Sequence, residues 1–176
     1  GPRYSLLVTL RGGMQSLIHA LSAKMPEVEI RTRCRVSQIS AQSGWRLVLG
    51  SGETIQAEAV CMALPAPKAA ELTRSVAPEV SRVLLQIPYE SVATVNLAYR
   101  EKDLPRPLEG FGFVVPAVEK RALTGCTFSS MKFPGRAPEE TVLLRAFVGG
   151  AGVSSVLELE DSQMKDTIRQ ELKGLL

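Results

Sequence analysis

The sequence predicts an α+β fold, in which a mixed, largely antiparallel sheet carries an amphipathic helix near each end. Two observations support this prediction. Short β-favouring runs bounded by Gly, Pro or charged turns recur through the middle of the chain, whereas the longest helical patterns lie near its ends. Because 176 residues suffice for one ordinary domain with its own core, we expect residues 1–176 to form a single domain.

The first elements are a β-favouring run at residues 4–10 and a helix that Pro26 ends. Between them, Gly12 and Gly13 permit a tight strand-to-helix turn. The helix is predicted because apolar residues recur at the spacing of one helical face. These residues are Met14, Leu17, Ile18, Leu21 and Met25.

A three-stranded antiparallel meander, entered from a short strand, is predicted next. Residues 42–44 and 50–53 have the composition of hairpin turns, and Pro65 and Pro67 close the last run. The β-prone runs are 28–33, 36–39, 45–49 and 54–62.

Two short helices and an alternating strand follow. Residues 67–73 and 78–86 each carry a proline near the start, where its missing N–H costs nothing. Residues 92–100 alternate between two faces, which predicts a strand with one buried side. The predicted buried side consists of Ala93, Val95, Leu97 and Tyr99.

Three further β-rich runs, at residues 110–116, 127–133 and 142–150, are interpreted as neighbouring strands of one sheet. Their continuous apolar face needs a partner, and two interpretations remain open. The partner is either the protein's own core or a large, flat, mostly apolar ligand. In the second case, the pocket would be lined by Phe111, Val114, Thr127 and Phe147.

The last predicted element is a helix at residues 154–175, with Ser154 and Ser155 as candidate N-caps. Its apolar residues at helical spacing are Met164, Ile168, Leu172 and Leu175. Just before it, Gly150-x-Gly152 superficially matches a dinucleotide-binding fingerprint. Because Ser155 stands where the third glycine belongs, we expect no nucleotide site there.

Composition excludes several classes of protein. Hydrophobic residues make up 45% and charged residues 22% of the chain, which is typical of a globular protein and not of a disordered one. The net charge of +3 is small and has no basic run, so no nucleic-acid partner is expected. No apolar run reaches the roughly 18 to 20 residues of a membrane-spanning helix, so any membrane contact would be peripheral.

Few residues suit metal binding or nucleophilic catalysis. The cysteines Cys34, Cys61 and Cys126 include no Cys-x-x-Cys pair, which is typical of reduced thiols in a cytosolic compartment. The single His19 falls off the apolar stripe of its helix, so we interpret it as solvated. We therefore predict no metal site and assign no catalytic acid or base.

Several motifs in a fixed order carry a resemblance to a known family. They are Leu10-Arg-Gly-Gly-Met14, Arg35-Val36, Ala63-Leu-Pro-Ala66, Val92-Ala-Thr-Val-Asn-Leu-Ala-Tyr99, Gly110-Phe-Gly-Phe-Val-Val-Pro116, Phe128-Ser-Ser-Met-Lys-Phe-Pro134 with Arg136-Ala-Pro138, and Phe147-Val-Gly-Gly150. In this order they resemble the protoporphyrinogen oxidases, FAD-dependent enzymes of haem biosynthesis within the flavin amine-oxidase superfamily. The likeness extends along nearly the whole chain.

The resemblance implies oxidation of protoporphyrinogen IX to protoporphyrin IX, with FAD as electron acceptor and a tetrapyrrole as substrate. It implies that Val36 meets the adenine end of FAD and that Ala63 and Pro65 lie near the cofactor. The residues that it implies face the tetrapyrrole are those of the pocket interpretation, namely Phe111, Val114, Thr127 and Phe147. It also implies a location in the cytoplasm or peripherally on the inner face of a membrane.

The family's N-terminal Gly-x-Gly-x-x-Gly unit and the C-terminal segment that completes its flavin site have no match in this sequence. We therefore expect the chain to be the central substrate-binding region of a larger oxidase, with residues 10–66 also contributing to the FAD side. We do not expect it to bind FAD by itself. Two alternatives remain open: a non-catalytic porphyrin-binding module, and a fragment of another flavin amine oxidase or carotenoid desaturase.

Overall fold

The computed structural model describes residues 8–150 and 155–176. It divides into two compact units, which we call the meander unit, Met25–Tyr89, and the sheet unit, Gly1–Lys24 with Glu90–Leu176. The expectation of one domain over residues 1–176 stays a prediction. Within the described residues, no helix is both long and apolar enough to cross a bilayer.

The predicted α+β class is confirmed, although the strands form two antiparallel sheets and not one mixed sheet. In chain order the helices are α1 Gln15–Ala23, α2 Ala66–Thr73, α3 Pro78–Leu84, α4 Ser129–Lys132 and α5 Asp161–Lys173. The strands are β1 Val36–Gln42, β2 Gly44–Leu49, β3 Thr54–Ala57, β4 Val92–Arg100, β5 Gly112–Val114, β6 Leu123–Phe128 and β7 Thr141–Gly149.

The meander unit contains the predicted three-stranded meander, in the order β1-β2-β3 with antiparallel pairing. The β1–β2 hairpin turns so tightly that Gln42 pairs directly with Gly44. Gly44 has a φ of +116°, a conformation that L side chains rarely adopt, so the turn requires glycine. The predicted helices after the meander are also confirmed as α2 and α3.

Two strand predictions in this unit are wrong. Residues 28–33 form no strand, and the Arg33 backbone, with a φ of +58°, is not extended. Arg31 makes a bidentate ion pair with Glu53 at 2.7 and 2.9 Å. Val28 is 54% exposed, so its apolar side chain reflects no buried strand face. The run predicted at 54–62 ends as a strand at Ala57.

The sheet unit is built on four antiparallel strands in the order β4-β7-β6-β5. The prediction that the runs near 110–116, 127–133 and 142–150 are neighbours in one sheet is confirmed. The middle run is not a strand throughout, because β6 ends at Phe128 and the chain turns at once into α4.

One face of this sheet packs against α5 and forms the core of the unit. Ile168 and Leu172 of α5 are buried together with Leu144 and Ala146 of β7 and Cys126 of β6. The predicted buried side of β4, which begins at Ala93, also packs against this core. The sheet therefore has a core face on one side and an open face on the other.

The helix predicted at 154–175 is confirmed as α5, but it begins later. Glu160 is its N-cap, and a capping box joins Glu160 to Gln163. Of the two predicted caps, Ser155 lies in a short 3-10 turn, Ser155–Glu158, and Ser154 lies outside the described residues. Most of the strand predicted at 4–10, and Gly152 of the glycine pair, also lie outside them.

Candidate functional site

Strand register brings the predicted substrate-binding residues to the open face of the four-stranded sheet. Val114 pairs with Gly125, and Gly125 pairs with Phe147, so these three residues form one row across the sheet. In the next row, Thr127 pairs with Arg145. Directly opposed residues of antiparallel strands share a face, and rows two residues apart share it as well. Val114, Thr127 and Phe147 therefore point to the same side, away from α5.

The fourth predicted residue, Phe111, lies outside these rows. It precedes β5, its side chain is 58% exposed, and its carbonyl oxygen accepts a hydrogen bond from the Phe128 backbone N–H at 2.9 Å. Gly110 and Gly112 on either side have φ values of +76° and +139°. These conformations interrupt regular strand alternation here, so the register of β5 does not extend to Phe111.

Thr127 and Phe147 line one concavity of about 390 Å³ on the open face. Val114 lines a second concavity of about 720 Å³, together with Phe113 and Phe128. Phe111 lines neither of the two. The structure therefore groups two of the four predicted residues in one concavity and separates the other two from them.

Two glycines lie on the paired strands β5 and β6. A side chain at Gly112 would overlap the carbonyl oxygen of Cys126, and one at Gly125 would lie 3.1 Å from the carbonyl oxygen of Phe113. The absence of side chains at these positions therefore lets the two strands approach each other closely. Phe147 is the half-buried aromatic residue of the open face.

Sequence reasoning missed the basic residues beside Phe147. Lys132 and Arg136 line the same concavity as Phe147, with Arg145 as a third cation. The first two both lie near the Phe133 ring, whose centroid is 5.6 Å from Lys132 Nζ and 6.0 Å from Arg136 Cζ. The sequence contains a signal for two of these cations, because Lys132 and Arg136 belong to the Phe-Ser-Ser-Met-Lys-Phe-Pro motif and its continuation. The sequence alone assigns no function to these two residues.

The meander unit has a concavity of its own, of about 460 Å³, which Val36 and Ala63 both line. Pro65 is not among its lining residues but caps α2, where its carbonyl accepts hydrogen bonds from the Lys68 and Ala69 backbone N–H groups at 2.9 and 3.0 Å. Two of the three predicted cofactor-binding residues thus share one cavity, and the third lies two residues further along the chain.

The composition of this cavity fits one end of a dinucleotide. Its apolar side chains, among them Val60 and Leu64, suit a flat ring such as adenine. A pyrophosphate needs a glycine-rich loop before a helix, and the sequence contains no Gly-x-Gly-x-x-Gly. The residues present fit part of FAD and not the whole cofactor.

Other reactive groups lie apart from the open face. Burial raises the pKa of the Cys126 thiol to about 11, and this residue is in the core that packs against α5. His19 is exposed on α1. In the described part of the chain, no group of His, Cys, Asp and Glu is arranged to hold a metal ion.

Comparison with known proteins places these features in a family. The family model described as "Flavin containing amine oxidoreductase" matches residues 2–176. The chain is 32% identical over 169 residues to "Coproporphyrinogen III oxidase" of Bacillus subtilis (strain 168), covering 96% of this chain and 36% of that protein. It is 30% identical over 182 residues to "Protoporphyrinogen oxidase, mitochondrial" of Nicotiana tabacum, covering 94% of this chain and 36% of that protein.

Solved structures agree with these similarities. A structure from Exiguobacterium sp. 255-15, named "Putative protoporphyrinogen oxidase", superposes with a TM-score of 0.82 at 30% identity, covering 94% of this chain and 36% of that chain. A putrescine oxidase variant superposes with a TM-score of 0.64 at 19% identity, covering 89% of this chain and 34% of that one, and shares the fold alone. The chain thus spans about a third of the length of the relatives it matches.

Proposed function

The chain belongs to the flavin containing amine oxidoreductase family, and we propose that it forms the central, substrate-binding region of a longer, FAD-dependent porphyrinogen oxidase. The proposed reaction is oxidation of protoporphyrinogen IX to protoporphyrin IX. One observation carries the proposal: the open face presents Val114, Thr127 and Phe147 on one side of the sheet, away from α5. The names of the relatives, which are porphyrinogen oxidases, support it.

A second substrate, coproporphyrinogen III, is favoured by a specific observation. The Bacillus subtilis relative, at 32% identity over 96% of this chain, is named after that substrate. Both molecules are tetrapyrrole macrocycles with an apolar ring and ionised carboxylates at the rim, so the same face suits either. The two substrates are therefore tested side by side.

Within this proposal, the chain binds and orients the macrocycle. An aromatic ring such as Phe147 contributes about 0.5–1.5 kcal/mol beyond simple burial when it packs in offset or edge-on geometry. The strand that carries it is rigid, because Leu144 and Ala146 on its other side are fully buried. Phe147 is thus held in one position, and the apolar contacts of Val114 exclude water from the macrocycle.

The proposed cofactor contacts are Val36, Ala63 and Pro65, on the meander unit, with residues 10–66 contributing to the FAD side of the complete protein. FAD, when bound, supplies the electron acceptor, while the protein supplies binding and orientation. We place the protein in the cytoplasm or peripherally on the inner face of a membrane. Cell fractionation of the complete protein tests this location.

The function is tested with the complete protein, reconstituted with FAD and supplied with protoporphyrinogen IX or coproporphyrinogen III. Formation of fluorescent porphyrin from either substrate is expected, and the ratio of the two kcat/KM values identifies the preferred one. Phe147→Ala is expected to lower kcat/KM by about tenfold through lost stacking and shape. Val118→Ala, which removes an 82% exposed apolar side chain that lines neither concavity, serves as the control.

The possible results separate the alternatives. Protein that binds porphyrin but neither retains flavin nor forms porphyrin would support the non-catalytic binding module. Flavin retention without activity on either porphyrinogen would favour another amine oxidase or carotenoid desaturase. Equal kcat/KM values for Phe147→Ala and Val118→Ala would show that Phe147 on the open face does not contribute to substrate binding or turnover.

A further inference from the structure

The concavity beside Phe147 holds three cations and no carboxylate. Lys132, Arg136 and Arg145 line it, and no Asp or Glu is among its lining residues in the described part of the chain. Lys132 and Arg136 are half-buried, so they are partly withdrawn from water. The salt bridges formed among the described residues involve other cations, namely Arg31, Lys68, Arg82 and Arg100.

The fold holds Arg136 in place without neutralising it. Its Nη2 donates hydrogen bonds to Thr9 Oγ1 at 3.0 Å and to the Leu10 carbonyl oxygen at 3.1 Å. Gly13 lies beside the same guanidinium, since a Cβ built there would be 3.4 Å from Nη1. One nitrogen of Arg136 is thus used for anchoring, and among the described residues Nε and Nη1 form no hydrogen bond.

Arg145 is oriented in a similar way. Its Nε donates to Asn96 Oδ1 at 3.0 Å, on the neighbouring strand β4. Arg145 pairs in register with Thr127, so its side chain belongs to the open face. Because this hydrogen bond uses only Nε, the two terminal nitrogens of Arg145 form no hydrogen bond among the described residues and remain to bind a ligand.

Like charges gathered in one concavity raise its positive potential and attract an anion. The same concavity also contains the rings of Phe133 and Phe147. Cations beside aromatic rings match a ligand that is apolar in its centre and anionic at its edge. An ionised porphyrinogen, with carboxylates on short side chains around an apolar ring, has this distribution of charge.

We propose that Lys132, Arg136 and Arg145 form a carboxylate-binding subsite, which holds the acidic side chains of the macrocycle while Phe147 contacts its ring. This inference rests on the proposed function. It identifies the residues that hold the substrate carboxylates, which the apolar residues of the open face cannot bind. The subsite binds and orients the substrate and takes no part in proton transfer. Its contribution is to fix which edge of the ring enters the concavity.

The test uses the complete, flavin-loaded protein and two probes, coproporphyrin III as the free acid and its methyl ester. The ester keeps the ring and removes the carboxylate charges. We expect Lys132→Met and Arg145→Met each to weaken binding of the free acid about tenfold, as for one lost charge-assisted hydrogen bond. Binding of the ester, measured by fluorescence quenching, is expected to change by less than about twofold.

Two further arms complete the design. Lys165→Met, on the exposed side of α5, removes a cation on the core side of the sheet and is the matched control. Arg136→Met is informative only with a folding check, since this residue also anchors Thr9 and Leu10. In the wild-type protein, raising the salt concentration is expected to weaken binding of the free acid but not binding of the ester.

Several outcomes would overturn the subsite. If Lys132→Met and Arg145→Met weaken binding of the acid and of the ester equally, these two residues have a purely structural role. Loss of flavin from these variants would identify the bound anion as the cofactor pyrophosphate instead of a substrate carboxylate. If wild-type protein binds acid and ester equally well, the subsite fails while the proposed function stands. If it binds neither, the subsite fails, and porphyrin formation from the two porphyrinogens decides the proposed function separately.

Discussion

Gly112 determines how closely β5 approaches β6 at the open face. Its φ is +139°, and a Cβ at this position would overlap the Cys126 carbonyl oxygen and lie 2.9 Å from the Thr127 Cα. Gly110, two residues earlier, has a φ of +76° but no heavy atom within 4 Å of its would-be Cβ. Substituting each glycine in turn therefore separates the free-energy cost of a strained backbone from the cost of a steric overlap.

We predict that Gly112→Ala lowers the free energy of unfolding by roughly 3 kcal/mol, because both strain and overlap act there. Gly110→Ala is expected to cost about 1 kcal/mol, from strain alone. Urea unfolding of the two variants gives the comparison. Equal losses would mean that the close approach of β5 and β6 is not rigid.

Cys126 differs from the other two cysteines in burial. Cys34 and Cys61 are exposed, whereas Cys126 is 2% exposed and burial raises the pKa of its thiol to about 11. Only the thiolate reacts with disulfide reagents. We predict that near pH 8, two thiols are labelled quickly and Cys126 is labelled only as the protein unfolds.

The pH dependence of the labelling follows from the direction of the pKa shift. Raising the pH toward 11 ionises more of the Cys126 thiol, so its labelling rate should continue to rise toward that pH. Cys126→Ser is the control that removes the slow phase. A single rate for all three thiols near pH 8 would contradict the burial of Cys126.

At the scale of elements, β7 serves the core and the candidate site at once. It pairs with β4 on one side and β6 on the other. Its residues alternate, so that Leu144 and Ala146 enter the core while Arg145 and Phe147 lie on the open face. The precision of the open face therefore depends on how well α5 packs beneath it.

We predict that Ile168→Ala on α5 lowers the free energy of unfolding by about 3 kcal/mol, because this fully buried side chain leaves a cavity beneath the sheet. The neighbouring exposed Arg169→Ala is expected to change it by less than about 0.5 kcal/mol. Chemical denaturation measures both values. A small effect of Ile168→Ala would show that α5 is not tightly packed on the sheet.

Helix α1 shows that hydrophobic periodicity predicts a helix but not whether its apolar face is buried. Its repeating apolar residues predicted the helix correctly, yet Leu17, Ile18 and Leu21 are 40%, 52% and 50% exposed. Periodicity is a property of the helix itself, whereas burial depends on which other residues cover that face. In the described part of the chain, no residue of α1 is buried.

At the scale of the whole molecule, the two units divide the proposed tasks. The sheet unit carries the open face with its aromatic and basic side chains, and the meander unit carries the cavity with Val36 and Ala63. Neither unit contains a glycine-rich phosphate loop in its sequence. We therefore expect that these 176 residues alone do not retain flavin.

We predict that the 176-residue chain shows no flavin absorption after desalting, whereas the complete protein does. In the complete protein, Ala63→Phe should fill part of the meander-unit cavity and lower flavin retention. Ala41→Phe, at an exposed position of β1, is the matched control in the same unit. Equal retention in both variants would remove Ala63 from the proposed cofactor contacts.

Most of the correct secondary-structure predictions depended on local sequence patterns. Turn composition and alternation were sufficient for the meander and for β4, because they act over a few adjacent residues. The same reasoning failed at residues 28–33 and 58–62, where β-prone side chains have no neighbouring strand to pair with in the described part of the chain. A strand needs a partner, and propensity does not show whether one exists.

The sequence by itself determined the class of the fold, the order of its elements and the family motifs, since each depends on residues close together in the chain. Only the tertiary structure decided that Lys132 and Arg136 lie in one concavity with Arg145 and Phe147. The physical reason is the hydrogen-bond register of β6 with β7 and the helical turn of α4, which bring distant residues to one face. That arrangement is long-range, so no local spacing could have shown it.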